Sequence, residues 1–118
     1  MKNDDVVRLR HMLDYAREAL QFTQGKTRAD IDTDLLLRRA LCYSLGIIGE
    51  AGANISKQTR SLQSQIPWRA VVGMRNFLFH AYMKVDLDIL WNTATGNVPR
   101  LITQLELIVP SDEEATES

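Results

Sequence analysis

The chain has 118 residues, 45% of them apolar and 25% charged, with three prolines, six glycines and one cysteine; that length sustains one core and is too short for two. Cys42 alone closes no intrachain disulfide, the start carries Lys2, Asp4, Asp5, Arg8 and Arg10 where a leader would be apolar, and no run approaches about 18 apolar residues. An oxidised secreted scaffold is thus excluded, and a cytoplasmic chain with no membrane partner is expected. The net charge of −1 is uneven: Asp112, Glu113, Glu114 and Glu117 put four of fifteen acids in the tail, leaving residues 1–109 at +3, which permits phosphate binding without requiring it.

The apolar period predicts helices throughout. After Asn3 or Asp4 as N-cap, Val6, Leu9, Leu13, Ala16 and Leu20 form one stripe that fades at Gly25. Asp32 or Asp34 caps a second helix holding Leu35, Leu36, Ala40, Leu41, Leu45, Ile48, Ala51 and Ile55, apolar nearly all round and so expected at the bundle centre. Gly46, Gly49 and Gly52 each cost about 1 kcal/mol against Ala in a helix, so their use is expected to be close approach of a neighbouring helix. Residues 57–65 are polar and read as a connector. Pro67 suits the first position of a third helix with Trp68, Val71, Val72, Met74, Phe77 and Leu78. Asp86 or Asp88 caps the next segment, which stops near Gly96-Asn97, and Pro99 opens a last helix with Leu101, Leu105 and Ile108. The result is an all-α bundle of four or five helices over residues 1–109, followed by a disordered acidic tail at 110–118.

One stretch is chemically unlike the rest: Arg75-Asn76-Phe77-Leu78-Phe79-His80-Ala81-Tyr82. On an ideal helix at about 100° per residue, Phe77, Leu78 and Ala81 form a greasy back, while Arg75, Asn76, Phe79, His80 and Tyr82 form a front. Arg75 and His80 stand about 140° apart, so they converge on one group only if the helix ends or bends there, or if a second copy completes the site. Arg75 offers a permanently charged planar fork for phosphate oxygens. His80 can take or give a proton near neutral pH, and Asn76 can orient the imidazole or a substrate oxygen. Phe79 and Tyr82 can stack on bases. The set suits a phosphodiester and calls for neither metal nor cofactor.

Arg75-Asn76-x-x-x-His80-x-Tyr82 resembles the signature of HEPN-domain ribonuclease toxins of the HepT type. The likeness also covers Ile48-Gly49-Glu50-Ala51, Ile66-Pro67-Trp68, and Val85-Asp86 with Trp91. It implies an antiparallel helical bundle that forms a homodimer, with two Arg/His motifs facing each other across an interface cleft. It implies a metal-independent endoribonuclease with Arg75 and His80 as the catalytic pair and Asn76 as polar support. It further implies a toxin of a type VII toxin–antitoxin system, restrained by a cognate MntA-type nucleotidyltransferase antitoxin that attaches AMP at Tyr82.

Glu50 is expected to need a partner within its apolar helix, with Arg75 or His80 the candidates or another Arg at the helix end the alternative. His11 reads as solvated, Asp86 and Asp88 as caps rather than a metal pair, and Cys42 as inert packing. Two competing readings are a non-catalytic HEPN-type module that binds RNA, a nucleotide or a nucleotidyltransferase, and a purely structural helical dimer.

Overall fold

Two long helices carry the core. In the computed structural model, which describes residues 1–80 and 85–110, α1 (Asn3–Thr23) and α3 (Leu35–Ala53) pack along each other. Leu9, Met12, Leu13, Ala16 and Ala19 of α1 meet Leu37, Leu41, Leu45 and Ile48 of α3, all buried. They run antiparallel: Asp5 at the start of α1 bonds Ser56 just past α3, and Tyr15 meets Tyr43 edge to face with centroids 6.1 Å apart. A third long element, α8 (Val98–Glu106), returns along α1 and buries Leu101 and Leu105. Arg17 pairs with Glu106 at 3.0 Å, and Arg10 donates to the Pro110 carbonyl. Shorter helices complete the chain: α2 (Asp30–Thr33), α4 (Lys57–Leu62), α5 (Trp68–Gly73), α6 (Asn76–His80) and α7 (Leu87–Asn92). Among the described residues the structure is helical without strands, and no helix is long and apolar enough to cross a membrane. The acidic tail from residue 111 lies outside the described residues.

Several boundaries differ from the sequence reading, each for a local reason. Of the two proposed caps of α3, Asp34 serves, accepting from Leu37 N at 3.0 Å. At α1 the N-cap is Lys2, not Asn3 or Asp4, and no side chain caps it. Asp4 and Asp5 instead lie in the first turn, where negative charge suits the helix dipole. The polar segment 57–65 is not merely a connector: Ser56 accepts from Thr59 N at 3.2 Å and starts α4. Such a helix lacks an apolar stripe, which is why periodicity misses it. Pro67 stands at the N-cap of α5 rather than inside the helix.

The stop expected at Gly96-Asn97 is absent. Residues Thr93–Asn97 form a π-helical turn that joins α7 to α8 without a loop. Val98 N–H reaches back to Thr93 O, and Pro99, with no N–H to give, falls in the first turn of α8, where none is needed. Asp86 caps α7 by accepting from Ile89 N at 3.1 Å, and Asp88 pairs with Arg28 at 2.8 Å. Cys42 is buried, and that burial pushes its thiol up despite Arg38 and Arg39, in keeping with inert packing. Arg60 covers the end of α3, donating to the carbonyls of Gly52, Ala53 and Ile55 at 2.9–3.2 Å while its guanidinium lies 5.9 Å from the Trp68 ring centroid.

Asp5 is the least expected core residue, 2% exposed. Its carboxylate accepts from Ser56 Oγ and Thr59 Oγ1 at 2.6 Å each and from Ser56 N at 3.0 Å, tying α1 to α4. Burial by itself would push this carboxyl up, but the three hydrogen bonds, helped by Lys2, bring it down to about 2 from 3.8. A carboxyl lowered in the folded state stabilises the fold fully above its ordinary value, and that contribution fades as pH falls from about 4 to 2. Asp5→Ala is expected to cost about 3 kcal/mol, because it strands the buried Thr59 hydroxyl and the half-buried hydroxyl and N–H of Ser56. Urea unfolding at pH 7 and pH 3 checks both statements: the gap between parent and variant should shrink at the lower pH.

Candidate functional site

The site begins with three small residues on one face of α3. A Cβ at Gly52 would stand 2.9 Å from Val71 Cγ1, one at Gly46 would stand 2.2 Å from Leu78 Cγ, and one at Gly49 would stand 2.3 Å from the backbone N of Arg75. The glycines therefore form a groove that seats α5, the turn after it, and α6, the close approach expected from the sequence. Gly49 is the tightest against backbone, with Met74 C also at 2.9 Å from that position.

The third helix is not continuous. It ends at Gly73, turns through Met74-Arg75, and restarts at Asn76. Met74 N, Arg75 N, Phe77 N and Leu78 N each donate three residues back, to Val71, Val72, Met74 and Arg75, at 3.0–3.1 Å. These tightened turns interrupt the regular α-helix at Arg75, one of the conditions under which the sequence lets Arg75 and His80 converge. The alternative of a helix that ends or bends is realised.

Arg75 turns toward α3, with Nε 3.0 Å from Glu50 Oε2. Its N–H is not aimed at that oxygen, so the contact is an ion pair rather than a directed hydrogen bond. Glu50 is steadied from its own helix: Asn54 Nδ2 donates to the Glu50 carbonyl at 2.9 Å and lies 3.5 Å from Oε1. The two side chains are 41% and 48% exposed, which corrects the expectation of a carboxylate sunk in an apolar helix; Glu50 sits on the outer edge of α3. Nη1 and Nη2 of Arg75 make no hydrogen bond to the described residues.

Asn76 is exposed, and Phe79 is 62% exposed, while Phe77 and Leu78 are half-buried, matching the division into front and back. His80 closes α6 by its backbone; its side chain, like Tyr82, lies outside what the structure describes. An open cavity of about 510 Å³ borders α6 and α7, lined in part by Asn76 and Phe77 but not by Arg75, Glu50 or Phe79. Arg75 and the cavity are thus adjacent in the chain but separate. Sequence reasoning named Glu50 and Arg75 but not Gly49 as the residue that seats the arginine. The signal was present in the spacing Gly46-x-x-Gly49-x-x-Gly52 beside Glu50.

The family described as "Ribonuclease HepT-like" matches residues 12–108. "Putative RNase TTE0752" of Caldanaerobacter subterraneus is 34% identical over 105 residues, covering 89% of this chain and 94% of that protein. "Probable ribonuclease HepT" of Thermococcus cleftensis is 37% identical over 93 residues, covering 75% and 84%. "Putative RNase MJ1380" of Methanocaldococcus jannaschii is 30% identical over 107 residues, covering 91% and 98%. No solved structure matches. With this extent of match, the chain belongs to the HepT-like ribonuclease family of HEPN proteins.

Proposed function

We propose that this protein is a metal-independent endoribonuclease acting as a homodimer, the toxin of a type VII toxin–antitoxin pair. The observation that carries the reading is the seating of Arg75. A glycine contact and an ion pair fix its backbone and Nε, while the rest of its planar fork is left for a ligand with paired oxygens. A phosphodiester fits that fork. The RNase names of the relatives point to RNA as the polymer.

In the proposed reaction the ribose 2′-oxygen attacks the adjacent phosphorus and the P–O5′ bond breaks, leaving a 2′,3′-cyclic phosphate and a 5′-hydroxyl. One His80 takes the 2′-proton and the partner's His80 supplies a proton to O5′. Arg75 balances charge on the phosphorane oxygens, supported by Glu50 and Asn76, and Phe79 offers a ring to a flanking base. The dimer is supported by an outward strip on α3, where Leu36 is 81% and Tyr43 is 52% exposed on the helix face that also bears Glu50. A second copy laid on this strip brings two Arg75 groups to one cleft.

Neutralisation is proposed to occur at Tyr82, whose phenol oxygen attacks the α-phosphorus of ATP on a nucleotidyltransferase antitoxin and releases pyrophosphate. Negative charge and bulk near Arg75 then close the cleft to RNA. The test is cleavage of a mixed RNA pool in excess EDTA. The parent should leave cyclic phosphate ends, and His80→Ala should lose at least a hundredfold in rate. Equal cleavage by the variant, or an absolute need for metal, would remove the assignment. Incubation with the transferase and ATP should add AMP mass to the parent and none to Tyr82→Phe.

A further inference from the structure

We infer that the cavity between α6 and α7 is a pocket for an RNA base, selecting bases that carry an exocyclic amine; this rests on the ribonuclease reading for its place in the reaction. Its volume of about 510 Å³ lies in the range of small-ligand pockets. The walls are apolar: Met74 and Phe77 on one side, and Ile89 on the other. Ile89 is 56% exposed although it stands at the mouth of a cavity, an uncovered apolar surface that a flat aromatic ring would cover.

The polar side chains among the described lining residues are Asn76, Asp86, Thr93 and Asn97. Among the described lining residues none is cationic and one is a carboxylate, a composition that disfavours phosphate and favours a neutral heterocycle with hydrogen-bond donors. Asp86 uses Oδ1 on the Ile89 N–H at 3.1 Å, while Oδ2 has no partner among the described residues. An exocyclic amine of adenine, guanine or cytosine supplies a donor to such an oxygen; uracil lacks one.

Two features link the pocket to the arginine. Asn76 lines it and directly follows Arg75, so a phosphate on the fork and a base in the pocket belong to neighbouring positions of one strand. Thr93 and Asn97 both come from the π-helical turn, so the irregular backbone between α7 and α8 is what supplies half of the polar lining.

The experiment uses Thr93→Val, Asn97→Ala and Ala70→Phe, the last filling the cavity from α5, where Ala70 is an exposed lining residue. NMR titration with free adenosine, guanosine, cytidine and uridine reads the pocket without any phosphate. Shifts should map to Phe77, Ile89 and Asn97, uridine should bind at least fivefold more weakly than the best of the other three, and Ala70→Phe should weaken binding at least tenfold. In parallel, cleavage of short RNAs with each base beside the cut should show a preference in the parent that falls at least fivefold in Thr93→Val and Asn97→Ala. No nucleoside binding, or a preference intact in all three variants, overturns the pocket even if cleavage persists. Nucleoside binding at these residues with no cleavage of any RNA leaves the pocket in place and removes the ribonuclease reading instead.

Discussion

Gly49→Ala is expected to lower stability by about 2 kcal/mol and RNA cleavage by about a hundredfold. The new methyl would lie 2.3 Å from Arg75 N and 2.9 Å from Met74 C, both backbone atoms, so no rotamer change relieves the clash. Overpacking of this kind costs about 1–3 kcal/mol, and the better helix propensity of Ala returns about 1 kcal/mol of a larger strain. The activity loss has a separate origin, since α6 and the Arg75 turn must move off α3, and a displacement near 1 Å at a positioned group costs about 10²-fold. The other glycines are internal controls. At Gly46 the three nearest atoms all belong to the Leu78 side chain, half-buried and able to swing, so Gly46→Ala should fall between parent and Gly49→Ala. At Gly73 a Cβ meets nothing within 4 Å, so Gly73→Ala should be neutral or stabilising by about 0.5 kcal/mol. Urea midpoints and single-turnover cleavage on the three variants check the order; a Gly49→Ala protein as stable and active as the parent would mean the groove does not set the arginine.

The residues that make the bundle could be read from the chain because burial imposes a period. The stripes of α1 and α8 follow from burial alone, as does the use of three glycines for helix approach, whereas α3, expected to be buried nearly all round, leaves Leu35, Leu36 and Tyr43 exposed on an outer face. What could not be read has physical causes too. Helix α4 is specified by the Ser56 cap and by the bonds that Ser56 and Thr59 make to Asp5, more than fifty residues earlier, and no periodicity encodes such a link. The π-helical turn trades one hydrogen-bond register for another around Pro99, where single-residue propensities signal only a stop. At the site the sequence singled out Arg75, Asn76 and Glu50, but a wheel drawn for an unbroken helix does not locate the turn at Met74-Arg75, whose backbone lies against Gly49. The cavity lined by Thr93 and Asn97 joins elements remote in sequence from Asn76 and had no signal in the motif.

Arg75→Lys should leave the fold unchanged within about 1 kcal/mol while reducing cleavage by 10²–10³, the size seen when one preorganised charge donor is removed. The side chain is 41% exposed and its ion pair with Glu50 is correspondingly screened, so little stability rests on it. A lysine keeps the charge but offers one ammonium where the planar fork presents parallel N–H groups, and it cannot hold Glu50 and a phosphate together in one plane. Glu50→Gln separates positioning from structure. Its carboxylate draws Arg75 to α3 but also repels RNA, so its loss should lower kcat about tenfold through a looser arginine while leaving KM unchanged or reduced. A residue that mattered only for folding would change the urea midpoint and leave that split alone. In the double variant the Glu50 effect should vanish, since there is no fork left to orient. Full activity of Arg75→Lys, or a Glu50→Gln penalty that persists undiminished on the lysine background, would show that the 3.0 Å pair is incidental to the chemistry and that phosphate is held elsewhere.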